Sequence, residues 1–153
     1  MATIIRKARL ADSKKILKII NHWANKKALL PRSLNQIYDN ILGFYVAEHN
    51  KVVVGCCSLS ITWDYLAEIR SLAVDPKHLD KGLGRQLVMA CEAKAKKIGV
   101  KKLFALTYIP NFFKKLGFKK TSLKSLPHKI WSDCINCPYF PNCNEVALIK
   151  RLR

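Results

Sequence analysis

Apolar positions recur with two different periods along the chain, and the changes between them mark out its elements. Residues 4–10 read as a short strand. After Asp12, placed as an N-cap, Ile16, Leu17, Ile20, Trp23 and Ala24 fall at helical spacing. Pro31-Arg32-Ser33 restarts the chain, with Ser33 capping a second short helix whose inner face is Ile37 and Ile41 and which Gly43 closes. Residues 44–49 and 52–63 are β-rich runs around Asn50-Lys51, a hairpin in which Lys at the second turn position is a weaker choice than Gly. Residues 67–74 supply a third consecutive strand. A loop over 75–81 leads into Gly82-Leu83-Gly84 and a long helix with Leu83, Leu87, Ala90, Cys91 and Ile98 on one face, stopped by Gly99. Residues 103–107 form another strand, Pro110 starts a helix that Gly117 ends, 118–122 begin a further strand, and 144–152 finish the chain as a strand.

Three sequential strands followed by helix–strand alternation indicate an α/β chain, one α+β mixed sheet with helices on its faces. The expected organisation is a single domain over 1–153 with a Cys-rich insertion at about 128–143. Half of the residues are hydrophobic and a quarter charged, which excludes a disordered tail or linker. The longest stretch without a charge, 52–63, has twelve residues, short of the roughly 20 that a membrane helix needs. Arg6, Lys7 and Arg9 near the N-terminus are not followed by an apolar core of signal-peptide length, so a cytoplasmic protein is expected.

Charge is the outlier: 28 Lys plus Arg against 10 Asp plus Glu leave +18. Such an excess suits anionic partners, whether nucleic acid, a membrane surface or a small substrate with phosphates or carboxylates. The lysines are scattered as pairs, among them Lys14-Lys15, Lys96-Lys97 and Lys119-Lys120, as solvated helix faces would have them. A nucleic-acid binder would gather them on one element with exposed aromatics.

The most informative stretch is a strand ending in Leu72-Ala73-Val74-Asp75-Pro76, a short loop, then Lys81-Gly82-Leu83-Gly84-Arg85 opening a helix. Glycines let the backbone approach an anion, and the first-turn N–H groups with the helix dipole bind it. No Walker or dinucleotide fingerprint is present. With the later Asn111-Phe112-Phe113-Lys114-Lys115-Leu116-Gly117-Phe118, these segments resemble the GNAT acetyltransferase superfamily in order and spacing. The resemblance implies that fold, acetyl-CoA as co-substrate, and cofactor contacts from Leu72, Ala73, Val74, Lys81, Gly82, Leu83, Gly84, Arg85, Asn111 and Phe113. Leu79 stands where the family has Arg or Gln, and Asp80 where it usually has Gly, a position needing a left-handed backbone that Asp tolerates.

Leu30-Pro31-Arg32-Ser33, Lys102-Leu103-Phe104-Ala105-Leu106-Thr107 and Ser125-Leu126-Pro127-His128-Lys129 are similar to the amino-acid acetyltransferase (N-acetylglutamate synthase) family, its short stand-alone form in particular. That likeness implies N-acetylation of glutamate, the first step of arginine biosynthesis, without the kinase-like regulatory domain of the long synthases. Leu30, Arg32, Thr107, His128 and Lys129 would then meet the substrate, and Arg70 joins them because it shares a strand face with Glu68. An α-ammonium must lose a proton before it attacks a thioester, and Glu68 matches the superfamily's strand base. Its alternative reading is a strand carboxylate paired with Arg70. Backbone N–H groups around residues 72–74 would polarise the thioester carbonyl. Phe113 stands where the family has a Tyr acid, leaving Tyr108, water or the amine's own proton to protonate the thiolate; Tyr108 reads more readily as core than as an acid. Asn111 would bond the pantetheine arm or cap its helix.

The six cysteines divide into Cys56, Cys57 and Cys91 in apolar runs, and Cys134, Cys137 and Cys143 after His128. The second group offers soft ligands for a structural zinc, reduced thiols closing the substrate pocket, or a disulfide, and Trp131 would shield the pocket end. The partners expected are small molecules, acetyl-CoA and an acidic amino acid, with no membrane or nucleic acid and with a homodimer left open. Competing functions are a protein N-terminal or lysine acetyltransferase, which the basic surface disfavours, a non-catalytic acetyl-CoA sensor, and a basic nucleic-acid-binding module.

Overall fold

Two β-rich runs, β2 (Phe44–His49) and β3 (Val52–Trp63), turn back on each other through Asn50 and Lys51, both with left-handed backbone at φ 52° and 66°. This is the primed turn that suits the right-handed twist of a hairpin, and Lys adopts it here without glycine's freedom. The computed structural model describes residues 3–126 and 145–153. The other elements are β1 (Thr3–Lys7), α1 (Ser13–Ala24), α2 (Leu34–Asp39), β4 (Leu66–Val74), α3 (Leu83–Lys97), β5 (Lys102–Thr107), α4 (Pro110–Lys115), β6 (Lys119–Thr121) and β7 (Val146–Arg151). They build one mixed sheet in the order β1-β2-β3-β4-β5-β7-β6. Among the described residues only the β4–β5 pair is parallel, which the α3 crossover permits.

The interior strand β3 is buried on both faces, and each face carries its own core. Cys57 and Leu59 face Leu83, Leu87, Val88, Cys91 and Ala95 of α3, joined by Phe113 and Phe118. Val53 and Cys56 face Ile16, Ile19 and Ile20 of α1 and Ile37 of α2. A smaller cluster of Leu66, Phe104, Leu126 and Ala147 lies at the other side of the split sheet. Lys150 on β7 donates to Glu92 Oε1 at 2.6 Å and to the Leu116 carbonyl at 2.8 Å, pinning α3 and α4 to the last strand.

Several local expectations change. The first strand ends at Lys7, and Leu10 is exposed in a short 3-10 turn. Asp12 is the N-cap residue of α1, as expected, but its side chain makes no cap bond: the carboxylate accepts from the Arg9 N–H at 2.7 Å and from Arg6 at 2.8 and 3.0 Å, an arginine fork being the stronger partner. Ile98 is half exposed, and the inner face of α3 runs through Val88 and Ala95 instead. Gly43 does not end α2, which stops at Asp39 with Asn40 as its C-cap. Glycine is needed there because a Cβ would land on the Leu59 carbonyl oxygen.

Candidate active site

β4 and β5 pair only through residues 66–68 with 102–104 and then separate, while β5 stays with β7 along its length. The upper halves of β4 and β5 therefore face each other across an open wedge, the place where a parallel sheet usually receives a ligand. A bulge sharpens it. Between Cys56↔Ala73 and Ser58↔Arg70, β4 uses one residue more than β3, and Ser71 takes φ 57°. Cys56 donates its thiol to the Ser71 carbonyl at 3.4 Å. Burial pushes that thiol up to about 12, so it stays protonated as a donor and is no nucleophile.

Glu68 sits on β4 at the base of the wedge, 4 % exposed. Arg70 Nη1 lies 3.7 Å from its Oε1 and donates to Ser60 Oγ at 3.0 Å. The carboxylate is thus paired with Arg70, as the second of its two sequence readings has it, and it also lines a pocket. Two adjoining cavities, each about 30 Å³, share Arg32, Arg70 and Ser71. One continues to Leu29, Leu30, Glu68, Leu106 and Glu145, the other to Gln36, Asn40, Phe44 and Ser58. Arg32 is presented by the turn into α2, which a reciprocal cap fixes: Gln36 N–H donates to Ser33 Oγ at 3.1 Å and Ser33 N–H to Gln36 Oε1 at 2.8 Å. The structure therefore brings Leu30 and Arg32 of the α1–α2 connection to Glu68 and Arg70 of β4.

At the wider end of the wedge, Asp75 accepts from the Lys77 N–H at 2.9 Å and starts a turn that delivers Asp80 (φ 65°) and Gly82 (φ 73°) in left-handed backbone. Gly82 is the N-cap of α3 and gives it no side-chain cap bond, so the first N–H groups of the helix suit an anion. Lys81 is exposed and its Nζ lies 3.1 Å from His78 Nδ1; Arg85 is exposed beside it. Gly84 serves packing: a Cβ would sit 3.3 Å from Phe112 Cζ. Leu72 and Val74 pack partly buried on the α3 side, Ala73 is buried on the α1 side, and Leu83 is core. The Val74 carbonyl is taken by Trp23 Nε1 at 2.8 Å.

Other expected residues are placed differently. Phe113 is 3 % exposed, edge-on to Phe112 and Phe118, so its ring is core rather than a cofactor surface. Thr107 is buried and its hydroxyl accepts from the Ile109 N–H at 2.9 Å, shaping the turn into α4. Tyr108 is half-buried, and Asn111 is exposed on α4, whose N-cap is Ile109. His128, Lys129, Trp131, Cys134, Cys137 and Cys143 lie outside the described residues. Among the described residues, no three His, Cys, Asp or Glu side chains gather as a metal site, and no helix is long and apolar enough to cross a membrane. Sequence reasoning missed Ser71 and Glu145; only the position of Glu145 just before the last strand could have signalled it.

Residues 12–118 match the acetyltransferase (GNAT) family model. The chain is 42 % identical over 150 residues to an uncharacterized N-acetyltransferase of Chlorobaculum tepidum, covering 98 % of this chain and 97 % of that one. It is 34 % identical over 127 residues to the amino-acid acetyltransferase of Mycobacterium tuberculosis, covering 81 % and 71 %. The fold superposes with TM-score 0.89 and 31 % identity on the N-acetylglutamate synthase of Neisseria gonorrhoeae complexed with coenzyme A and N-acetyl-glutamate. All of this chain and 36 % of that enzyme are covered, so the chain spans about a third of the synthase's length.

Proposed function

Because the chain belongs to the GNAT acetyltransferase family, we propose that it transfers the acetyl group of acetyl-CoA to the α-amino group of an amino acid, with glutamate the first acceptor to assay. The observation that carries this reading is the meeting of Arg32, Glu68 and Arg70 at one small cavity where β4 and β5 part. A cavity of about 30 Å³ flanked by two guanidinium groups suits the carboxylate end of an amino acid better than a protein tail.

Acetyl-CoA lies along the wedge in this reading, with its pyrophosphate over Gly82 and the first amides of α3 and its charge met by Lys81 and Arg85. Backbone N–H groups around residues 72–74, on the part of β4 beyond its pairing with β5, polarise the thioester carbonyl in this reading. Arg32 orients the α-carboxylate. Glu68 accepts the ammonium proton directly or through water, and the amine lone pair attacks the carbonyl carbon. The C–N bond forms, the C–S bond breaks, and the thiolate takes a proton from the nitrogen, water or Tyr108.

The test is product identification. Purified protein with acetyl-CoA and either free amino acids or peptides is expected to yield N-acetyl amino acid by mass spectrometry and no acetylated peptide. Acetylated peptide alone would overturn the reading.

A further inference from the structure

Beside the loop that precedes α3, nitrogen-bearing side chains from three parts of the chain converge, and the mechanism above uses only one of them. His49 ends β2, His78 ends the short 3-10 turn Pro76–His78, and Lys81 stands directly before Gly82. The two half-buried imidazole rings lie 5.2 Å apart between centroids. Lys81 Nζ is 3.1 Å from His78 Nδ1, and His49 Nδ1 is 2.9 Å from Thr3 Oγ1 on β1. An ammonium can only donate, so His78 Nδ1 accepts and the ring is neutral in this arrangement. Among the described residues no carboxylate is paired with any of the three. Glu48 turns to Arg6, Asp75 accepts from the Lys77 N–H, and Asp80 stands exposed. Nor do the imidazoles gather a third His, Cys, Asp or Glu among the described residues, as a metal would need.

What the cluster lacks is an anion. Protonating His78 removes the acceptor of Lys81 and sets an imidazolium against an ammonium. His49 is held below the usual histidine range by partial desolvation, then by Lys81, His78 and the N-terminal amine. A phosphate group on the first amides of α3 reverses this, because Lys81 adjoins Gly82 and can turn its donors to the anion. The imidazole pair then loses a neighbouring cation's repulsion, gains an anion's attraction, and favours its charged form. We propose that His49 and His78 belong to the phosphate site at the head of α3 and take up a proton from solvent when the phosphates of acetyl-CoA bind there. The proton belongs to the pair, since rings this close titrate together.

This rests on the reading of the loop as the coenzyme's phosphate site and deepens it. Acetyl-CoA binding is followed calorimetrically in buffers of different ionisation enthalpy, which gives the protons exchanged. The reference is the double variant His49→Gln/His78→Gln, which meets the same titrating groups of the coenzyme. Wild type is expected to take up about half a proton more than the double variant near pH 7, in the range where histidine titrates. Its Kd should tighten about fivefold from roughly pH 8 to pH 6 beyond any change that the double variant shows. A difference in uptake below about 0.1 proton, or a pH dependence of Kd that the double variant keeps in full, overturns the inference and leaves the coenzyme reading standing. Absence of acetyl-CoA binding throughout this pH range overturns both.

Discussion

At Asp12, one carboxylate gathers what the first strand and first helix need to stay together. Arg6 grips it with both guanidinium nitrogens and also reaches Glu48 at 3.4 Å. The Arg6 hydrogen bonds hold the Asp12 carboxyl below the usual aspartate range despite its burial. Since the folded value is lower than the unfolded one, the contribution to stability is complete above the ordinary value of about 4 and is lost as pH falls through the folded value. Asp12→Asn is expected to cost about 2 kcal/mol at pH 7. The gap between urea melts of the two proteins should narrow as pH falls below the ordinary aspartate value. The buried thiols of Cys56 and Cys57 are both pushed up, Cys56 by desolvation and Cys57 first by its hydrogen bond to Cys91. Neither should react with iodoacetamide at pH 8 in the native protein, and both should label once it is unfolded, as peptide mass mapping will read.

Elements meet at two glycines with different physical roles. Gly43 has ordinary backbone but no space, so Gly43→Ala must displace the Leu59 carbonyl of β3 and is expected to destabilise by about 3 kcal/mol. Gly82 has open space and a left-handed backbone. Gly82→Ala should cost about 1 kcal/mol through backbone strain alone, and Gly82→Asn less, because Asn tolerates that conformation. Chemical denaturation of the three variants separates these causes. Helix starts were legible wherever a side chain states them, as at Ser33 with its reciprocal Gln36 cap. The β4 bulge was not legible. Nothing in the side chain of Ser71 demands φ 57°, and the conformation follows from register on β3.

Across the whole molecule, the order of strands and helices followed from the periods of apolar residues, and the structure keeps it, with short 3-10 turns between. The candidate site was legible in part. Arg32, Glu68 and Arg70 could be singled out from motif and strand face, but their meeting with Glu145 depends on how β7 lies beside β5, which no local pattern encodes. Phe113 matched a motif and became core, because its ring completes the contact between α4 and the residue that follows Gly117. Most of the +18 charge lies outside the site. On β1 and α3, Lys7 and Lys97 approach Lys94, and Lys7 is the chief cause holding Lys94 below the usual lysine range. Self-repulsion of this kind weakens with salt. The thermal midpoint, read by circular dichroism, should therefore rise by about 5 °C between roughly 20 mM and 500 mM sodium chloride. If Glu68 takes the proton of an amino-acid acceptor held at Arg32, as proposed, steady-state acetylation by Glu68→Gln will show it, with the Kd for acetyl-CoA measured calorimetrically on the same sample. A fall in kcat of about 100-fold or more at pH 7.5 with an unaltered Kd is the predicted result. A kcat within threefold of wild type would contradict it.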